Sequence, residues 1–417
     1  MKKVWPWRLV AALFALIGAS SFAPAAAAGS PPTQADRQIL VMLRLVPDHF
    51  RPNGNYAGGY GDATAQSGRD RIAKGIARKY GLTVVDNWPM PMIGVDCFVM
   101  AVPDGRSTSA AAEQVSHDSN VSWAEPMSLY SSRGAAASGD NDALFAAQPA
   151  AAQWHLADLH RMSSGRGARV AIIDSGIDAT HPDLAGQVAI NRNFVSGQQL
   201  VPEQHGTAVA GIIAAKADNR IGIAGIAPGA RLLGLRACWQ VSGSTSTICD
   251  TLSLAKALYF AVESDADIVN LSLSGPDDRL LRSLVDIALK KNRTVVAAFD
   301  PARPDGGFPA SVPGVIRVSD SLAAATRGNV YFAPGRDVPT TEPGGRWFVV
   351  NGSSFSAAHV SGLIALLREK SHSTQLALVA DRRGGGPIDA CASLLRVVGV
   401  CDCHCGESRM ATGVGHR

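Results

Sequence analysis

Apolar and polar positions along this chain fall into two regimes. Between about residues 38 and 130 the pattern switches repeatedly between a two-residue and a helical period. Ile39–Val46, Leu82–Asn87, Val95–Val102 and Val121–Ala124 read as strands. Asp70–Tyr80 reads as a basic amphipathic helix and Ser107–Val115 as a second helix. The β-α-β-β-α-β order is the split βαβ, ferredoxin-like arrangement, a small α+β unit. From about residue 153 to 370, short β-branched runs alternate with longer segments of small and apolar residues. Arg169–Ile173, Arg231–Arg236, Ile268–Leu273, Thr294–Ala298 and Val315–Val318 are expected as strands. Gly206–Ala215, Leu252–Ser264, Arg279–Lys290 and Ser354–Glu369 are expected as helices. That alternation implies an α/β domain: a mostly parallel sheet with helices on both faces and its site at the carboxyl ends of the strands.

Three segments lie outside both units. Residues 131–152 are rich in Ala, Ser and Gly without a clear period, and read as a flexible, cleavable linker. The tail 371–417 is Gly- and Arg-rich with a cysteine cluster, and nothing in its pattern assigns it to the core. Residues 1–28 read as a secretory signal. Lys2, Lys3 and Arg8 precede an apolar run from Leu9 to Phe22, and Ala26-Ala27-Ala28 supplies a cleavage site before Gly29. A secreted or periplasmic protein without a stable membrane anchor is the expectation.

Composition adds constraints. With 417 residues, 46% hydrophobic and 18% charged, the chain can bury a core larger than one small domain needs. A net charge of +4 is small for this length and gives no case for a nucleic-acid partner. Seven cysteines in an exported chain sit in an oxidising context. Cys238 and Cys249 close a short loop of Ser, Gly and Thr, and a disulfide is expected there. Cys401, Cys403 and Cys405, with Cys391 upstream, read as tail disulfides rather than a zinc knuckle, and Cys97 as a buried thiol.

Three distant blocks carry the chemistry: VAIIDSGIDATHPDL at 170–184, HGTAVAGIIAA at 205–215 and NGSSFSAAHVSGLIALL at 351–367. Asp174 ends an apolar run that reads as a buried parallel strand. His205 opens a helix of small residues. Ser354 lies at the start of another helix, where its backbone N–H meets developing negative charge favourably. The order Asp, His, Ser is that of subtilisin, distinct from the order in chymotrypsin and the α/β-hydrolases. Jointly with GIAGIAPGARLLGLRA at 222–237, DIVNLSLSGP at 267–276 and PASVPGVIRVSD at 309–320, these blocks make residues 153–370 resemble the subtilisin-like serine proteases, or subtilases.

The resemblance implies a serine endopeptidase that acts on protein or peptide substrates through an acyl-enzyme, with no required cofactor. Ser354 would attack, His205 would move the proton and Asp174 would orient the imidazole. It also implies that residues 38–130 are an inhibitory propeptide, an intramolecular partner of the protease. Leu273, Ser274 and Gly275 would form one edge of the substrate cleft, and the loop holding Ser242 and Gly243 the other. Asp183 matches a calcium-ligating position of some family members, with Asp218 in the facing loop, so a calcium site is a candidate there. His359 resembles a structural histidine.

Some residues depart from the family pattern. Ala297-Ala298-Phe299-Asp300 stands where Ala-Ala-Gly-Asn is usual, so Asp300, with the Ser354 backbone, occupies the oxyanion-hole position. A carboxyl donates a hydrogen bond there only when protonated. Ala358 replaces a usual proline, and Ser274 a usual glycine. The alternative expectation is a catalytically weak or inactive relative that acts as a peptide-binding, chaperone or inhibitor protein.

Overall fold

The computed structural model describes residues 37–44, 63–132, 135–137, 144–326, 328–371 and 378–399. The signal-like residues 1–28 and the cysteines at 401, 403 and 405 lie outside them.

The N-terminal unit runs β1 (Gln38–Arg44), α1 (Ala63–Tyr80), β2 (Thr83–Met90), β3 (Val95–Ala101), α2 (Thr108–Ser116) and β4 (Val121–Pro126). Its antiparallel sheet has the order β2-β3-β1-β4, which is the split βαβ topology. Alternation gives each face its own task. Ile39, Val41 and Leu43 pack with Ala73, Ile76, Ala111 and Val115 of the two helices. Leu40, Met42, Cys97 and Val99 face the other way and join the core of the larger unit.

After β4 come two short strands, β5 (Leu129–Ser132) and β6 (Ala135–Ala137), and three short helices, α3 (Leu144–Ala147), α4 (Pro149–Gln153) and α5 (Leu156–Met162). The expected unstructured linker therefore contains paired backbone. Its small residues carry little hydrophobic signal, and the pairing comes from partner strands far away in sequence.

The larger unit continues with β7 (Arg169–Asp174), β8 (Val188–Asn193), α6 (Gln204–Ala214), β9 (Arg231–Arg236), β10 (Cys238–Gln240), β11 (Thr247–Asp250) and α7 (Thr251–Glu263). There follow β12 (Ile268–Leu271), β13 (Leu273–Ser274), α8 (Arg279–Lys290), β14 (Thr294–Ala298), β15 (Ile316–Ser319) and α9 (Leu322–Ala325). The described chain closes with β16 (Val330–Phe332), β17 (Val338–Glu342), β18 (Arg346–Asn351), α10 (Ser353–Lys370), β19 (Ala380–Arg382), β20 (Gly385–Ile388) and α11 (Ala390–Val398).

Nine of these strands form one sheet, ordered β19-β20-β16-β15-β14-β12-β7-β9-β8. Every neighbouring pair is parallel except the edge hairpin β19–β20. Val170 through Ile173 are each 0% exposed, as expected of a strand covered on both faces. One face carries α6 and α10, packed with α5 and α11. The other carries α7 and α8, on which the N-terminal sheet lies. Helix α10 is buried from Ser353 to Leu367, so it crosses the interior instead of covering a surface.

The tail corrects an expectation. Residues 378–398 extend the sheet and add a helix, with Leu378, Ile388, Cys391 and Leu394 buried in the main core. Cys391 is disulfide-bonded. Its glycines hid this role: Gly384 and Gly386 have φ of +80° and +90°, a demand of the β19–β20 turn that reads in sequence as loop.

Candidate active site

Asp174 is the last residue of β7, at the carboxyl end of a strand near the centre of the sheet. Its carboxylate accepts the His205 Nδ1–H at 2.8 Å and the Ser175 backbone N–H at 2.7 Å. His205 stands in the first turn of α6, which approaches the Asp174 loop closely because residue 206 is glycine. A Cβ there would sit 2.2 Å from the Ser175 carbonyl oxygen. The Gly206 N–H instead donates to Ser175 Oγ at 3.0 Å. Both members of the dyad are buried, His205 at 7% and Asp174 at 2% exposure.

Ser354 lies in the first turn of α10, after Gly352 with φ of +141°. Its Oγ donates to the Ser272 carbonyl at 2.9 Å, and Ser272 Oγ donates back to the Ser354 carbonyl at 2.8 Å. The His205 ring lies 5.3 Å, centroid to centroid, from Phe355, which follows the serine. The three chemistry-bearing blocks thus converge where α6 and α10 pack together over the strand ends. His359, one turn further along α10, hydrogen-bonds the Phe355 carbonyl, and burial pushes its imidazole down to about 4. It is a neutral packing group at ordinary pH.

The strands at the expected cleft edges, β11 and β13, are bridged by β5. Strand β5 runs antiparallel to β13, with Ser132 opposite Leu273 and Ser131 opposite Ser274. On its other side it runs antiparallel to β11, with Ser131, Tyr130 and Leu129 opposite Ile248, Cys249 and Asp250. Strand β6 then pairs with β18, where Ala135 lies opposite Asn351. Of the cleft residues expected from sequence, Leu273 and Ser274 lie on the paired edge, and Gly275 exchanges backbone hydrogen bonds with Phe308. Ser242 and Gly243 lie in the turn of the β10–β11 hairpin, away from the paired edge. That edge is Ile248–Asp250 instead, braced by the Cys238–Cys249 disulfide across the hairpin. The alternating Thr247-Ile248-Cys249-Asp250 run was the available signal for it, as Trp347–Val350 was for β18.

A family profile described as the Subtilase family matches residues 165–380, just over half of the chain. The chain belongs to the subtilase family. It is 39% identical over 224 residues to the "Thermophilic serine proteinase" of Bacillus sp. (strain AK1), covering 50% of this chain and 54% of that protein. It is 33% identical over 243 residues to the "Subtilisin" of Bacillus pumilus, covering 52% of this chain and 83% of that one. Among solved structures, fervidolysin from Fervidobacterium pennivorans, a keratinolytic enzyme related to subtilisin, superimposes with a TM-score of 0.63. That likeness covers 86% of this chain and 60% of fervidolysin at 21% identity, and it bears on the fold. The chain thus spans little more than half the length of the thermophilic proteinase.

Within this subtilase, the position after β14 is distinctive. Asp300 is 1% exposed. Its carboxylate accepts the Ala302 N–H at 2.9 Å and faces Arg303 Nε at 3.6 Å and Ser274 Oγ at 3.5 Å. Donors and a cation surround the oxygens, an environment suited to an anion. Phe299 lies flat under the same loop: a Cβ on Gly306 would come 2.2 Å from its Cδ2.

The calcium candidate does not fit. Asp183 Oδ1 accepts the Asn219 side-chain N–H at 2.7 Å, while Oδ2 accepts the Trp347 indole N–H at 2.7 Å and the Ile223 N–H at 3.1 Å. Asn219 is oriented by its own Oδ1, which accepts the Ile221 N–H. Three donors converge on this carboxylate, where a cation needs converging oxygens. Asp218 is exposed in the same loop. Among the described residues, no cluster of His, Cys, Asp and Glu could hold a metal ion.

Proposed function

We propose that this protein is an exported serine endopeptidase, made as a precursor that cuts itself and is then restrained by its own N-terminal unit. The observation that carries this reading is the pairing of residues 129–132 between β11 and β13, followed by 135–137 on β18. An extended peptide held on both edges is how a protease grips main chain without demanding one sequence. Here the peptide belongs to the chain itself.

The register supports a narrow cleavage region. The described pairing of β5 with β13 ends at Ser132 opposite Leu273, and the residue before Leu273 is Ser272, whose carbonyl accepts the Ser354 hydroxyl. From the other side, Ala135 lies opposite Asn351, three residues before the nucleophile. The sequence between the two described strands is Arg133-Gly134, so this reading puts the cut between Ser132 and Ala135.

Catalysis would proceed through groups already in reach. The Ser354 hydroxyl rotates from the Ser272 carbonyl toward His205 Nε2, which has no hydrogen-bond partner among the described residues. The imidazole takes the proton as Ser354 attacks, Asp174 steadies the imidazolium, and the proton passes to the leaving amine. Water then resolves the acyl-enzyme by the same route. The Ser354 backbone N–H, at the N-terminus of α10, faces the oxyanion. An ionised carboxyl at Asp300 would offer no matching donor and give a slower catalyst than an asparagine would.

Signal-cleaved Ser354→Ala should accumulate as an uncut precursor, while the mature wild-type chain should begin at one of residues 133–135 by N-terminal sequencing. A Ser354→Ala chain that matures in a host stripped of other proteases would sink self-processing. A mature terminus elsewhere would sink the register.

A further inference from the structure

A second ionised pair lies beneath the dyad, and the chemistry above does not use it. Glu203 precedes α6 two residues before His205, and Arg236 ends β9, where its backbone lies opposite Asp174. The two side chains are 8% and 2% exposed. Arg236 Nε and Nη2 donate to the two Glu203 oxygens at 2.9 Å each. The guanidinium also donates to Asn193 Oδ1 at 3.1 Å and Gln198 Oε1 at 3.0 Å. Glu203 in turn accepts the Gly176 N–H at 2.6 Å and the Gln240 N–H at 3.0 Å.

One carboxylate therefore ties together three segments: the loop that follows Asp174, the turn that presents His205, and β10, the outer strand of the substrate-edge hairpin. Stability alone is a poor reason for this arrangement, because burying an ion pair costs about as much as the attraction returns. Fixed direction is what a bidentate pair supplies. We propose that Glu203–Arg236 is a positioning pair, holding His205 against Asp174 and coupling that geometry to the hairpin that grips the peptide. The inference rests on the reading of His205 as the general base.

The test uses charge as well as activity. Charged or titratable groups around His205 come from every element packed on α6: Asp174 on β7, Asp178 in the loop beyond, Arg236 on β9, Glu342 with Arg346 on the β17–β18 hairpin, and neutral His359 on α10. Glu203→Gln leaves the Arg236 cation without its anion, so the acid limb of kcat/KM should move to lower pH. Arg236→Met leaves the carboxylate and should move that limb to higher pH. The double variant carries neither charge; its limb should return to the wild-type position while kcat stays depressed, by up to about 100-fold, with KM changing less. If a single variant fails to fold, the double variant decides.

The same titrations followed by NMR on the His205 imidazole, in full-length Ser354→Ala protein, require no turnover. Failure of this inference is thus distinguishable from failure of the protease reading. Limbs that stay in place or move the same way in both single variants overturn it, as does a double variant with wild-type kcat.

Discussion

The end of β7 and the loop after β14 each hold a buried aspartate close to the carboxyl end of a parallel strand, Asp174 on one wall of the proposed cleft and Asp300 on the other. On the first wall the carboxylate faces a histidine and a backbone N–H, and the proposed mechanism needs an anion there, because it forms an imidazolium. On the second, under the proposed mechanism, a carboxyl stands at the oxyanion-hole position, where negative charge develops. The fold tolerates it because the Ala302 N–H and Arg303 offset the charge locally. What is satisfied for folding is opposed for catalysis. A folded, well-packed site is therefore no measure of turnover, and the proposed mechanism has the two walls respond oppositely to the same chemical change.

One substitution applied to both walls breaks the comparison open. Asp174→Asn keeps shape but removes the anion and favours the wrong imidazole tautomer, so kcat should fall by about 10⁴. Asp300→Asn keeps shape and supplies an amide donor, so kcat should rise, by at most about 10²–10³, the range carried by one oxyanion donor. Both are read as kcat on one peptide substrate, with melting temperature as a control. A fall in both variants would place Asp300 in the structure of the wall and outside the oxyanion hole.

The contrast also explains how much the sequence reveals. Asp174, His205 and Ser354 are legible because each sits inside a block whose neighbours are constrained too. Gly206 must lack a Cβ beside Ser175, and α10 is small and apolar because it crosses the core. Strand starts such as Arg231 and Thr294 are legible because each polar residue opens a buried apolar run. The pairing of Leu129–Ser132 and Ala135–Ala137 is not, since backbone hydrogen bonds leave no mark on strands this short and made mostly of Ser and Ala. Glu203 and Arg236 look like ordinary surface charges, and only the fold brings them together from 33 positions apart. The calcium candidate at Asp183 misled for a related reason: the indole that satisfies it comes from Trp347, 164 positions away.

A third carboxyl sharpens the comparison with a smaller effect, on restraint of the enzyme instead of turnover. Glu125, on β4 of the N-terminal unit, accepts the Leu280 N–H at 3.3 Å at the start of α8. Asp278 caps the same helix, accepting the Leu281 N–H at 3.0 Å and the Thr251 hydroxyl at 2.9 Å. Burial, and then the nearby Asp278 carboxylate, push Glu125 up to about 8. A raised carboxyl is protonated in the docked state and ionised once released, so docking is strongest below the ordinary glutamate range. It weakens as pH climbs from about 4.5 to about 8 and levels off above. Partial exposure and the remaining N–H donors reduce the gain, and a change of roughly tenfold in affinity is expected. Release of the cut N-terminal unit from the processed chain, measured by size-exclusion chromatography across that range, should increase with pH. Glu125→Gln, which is neutral throughout, should flatten the dependence and hold the unit more tightly at alkaline pH. An unchanged slope in Glu125→Gln would mean that another group controls release, leaving Glu125 only the role of meeting the exposed amides of α8.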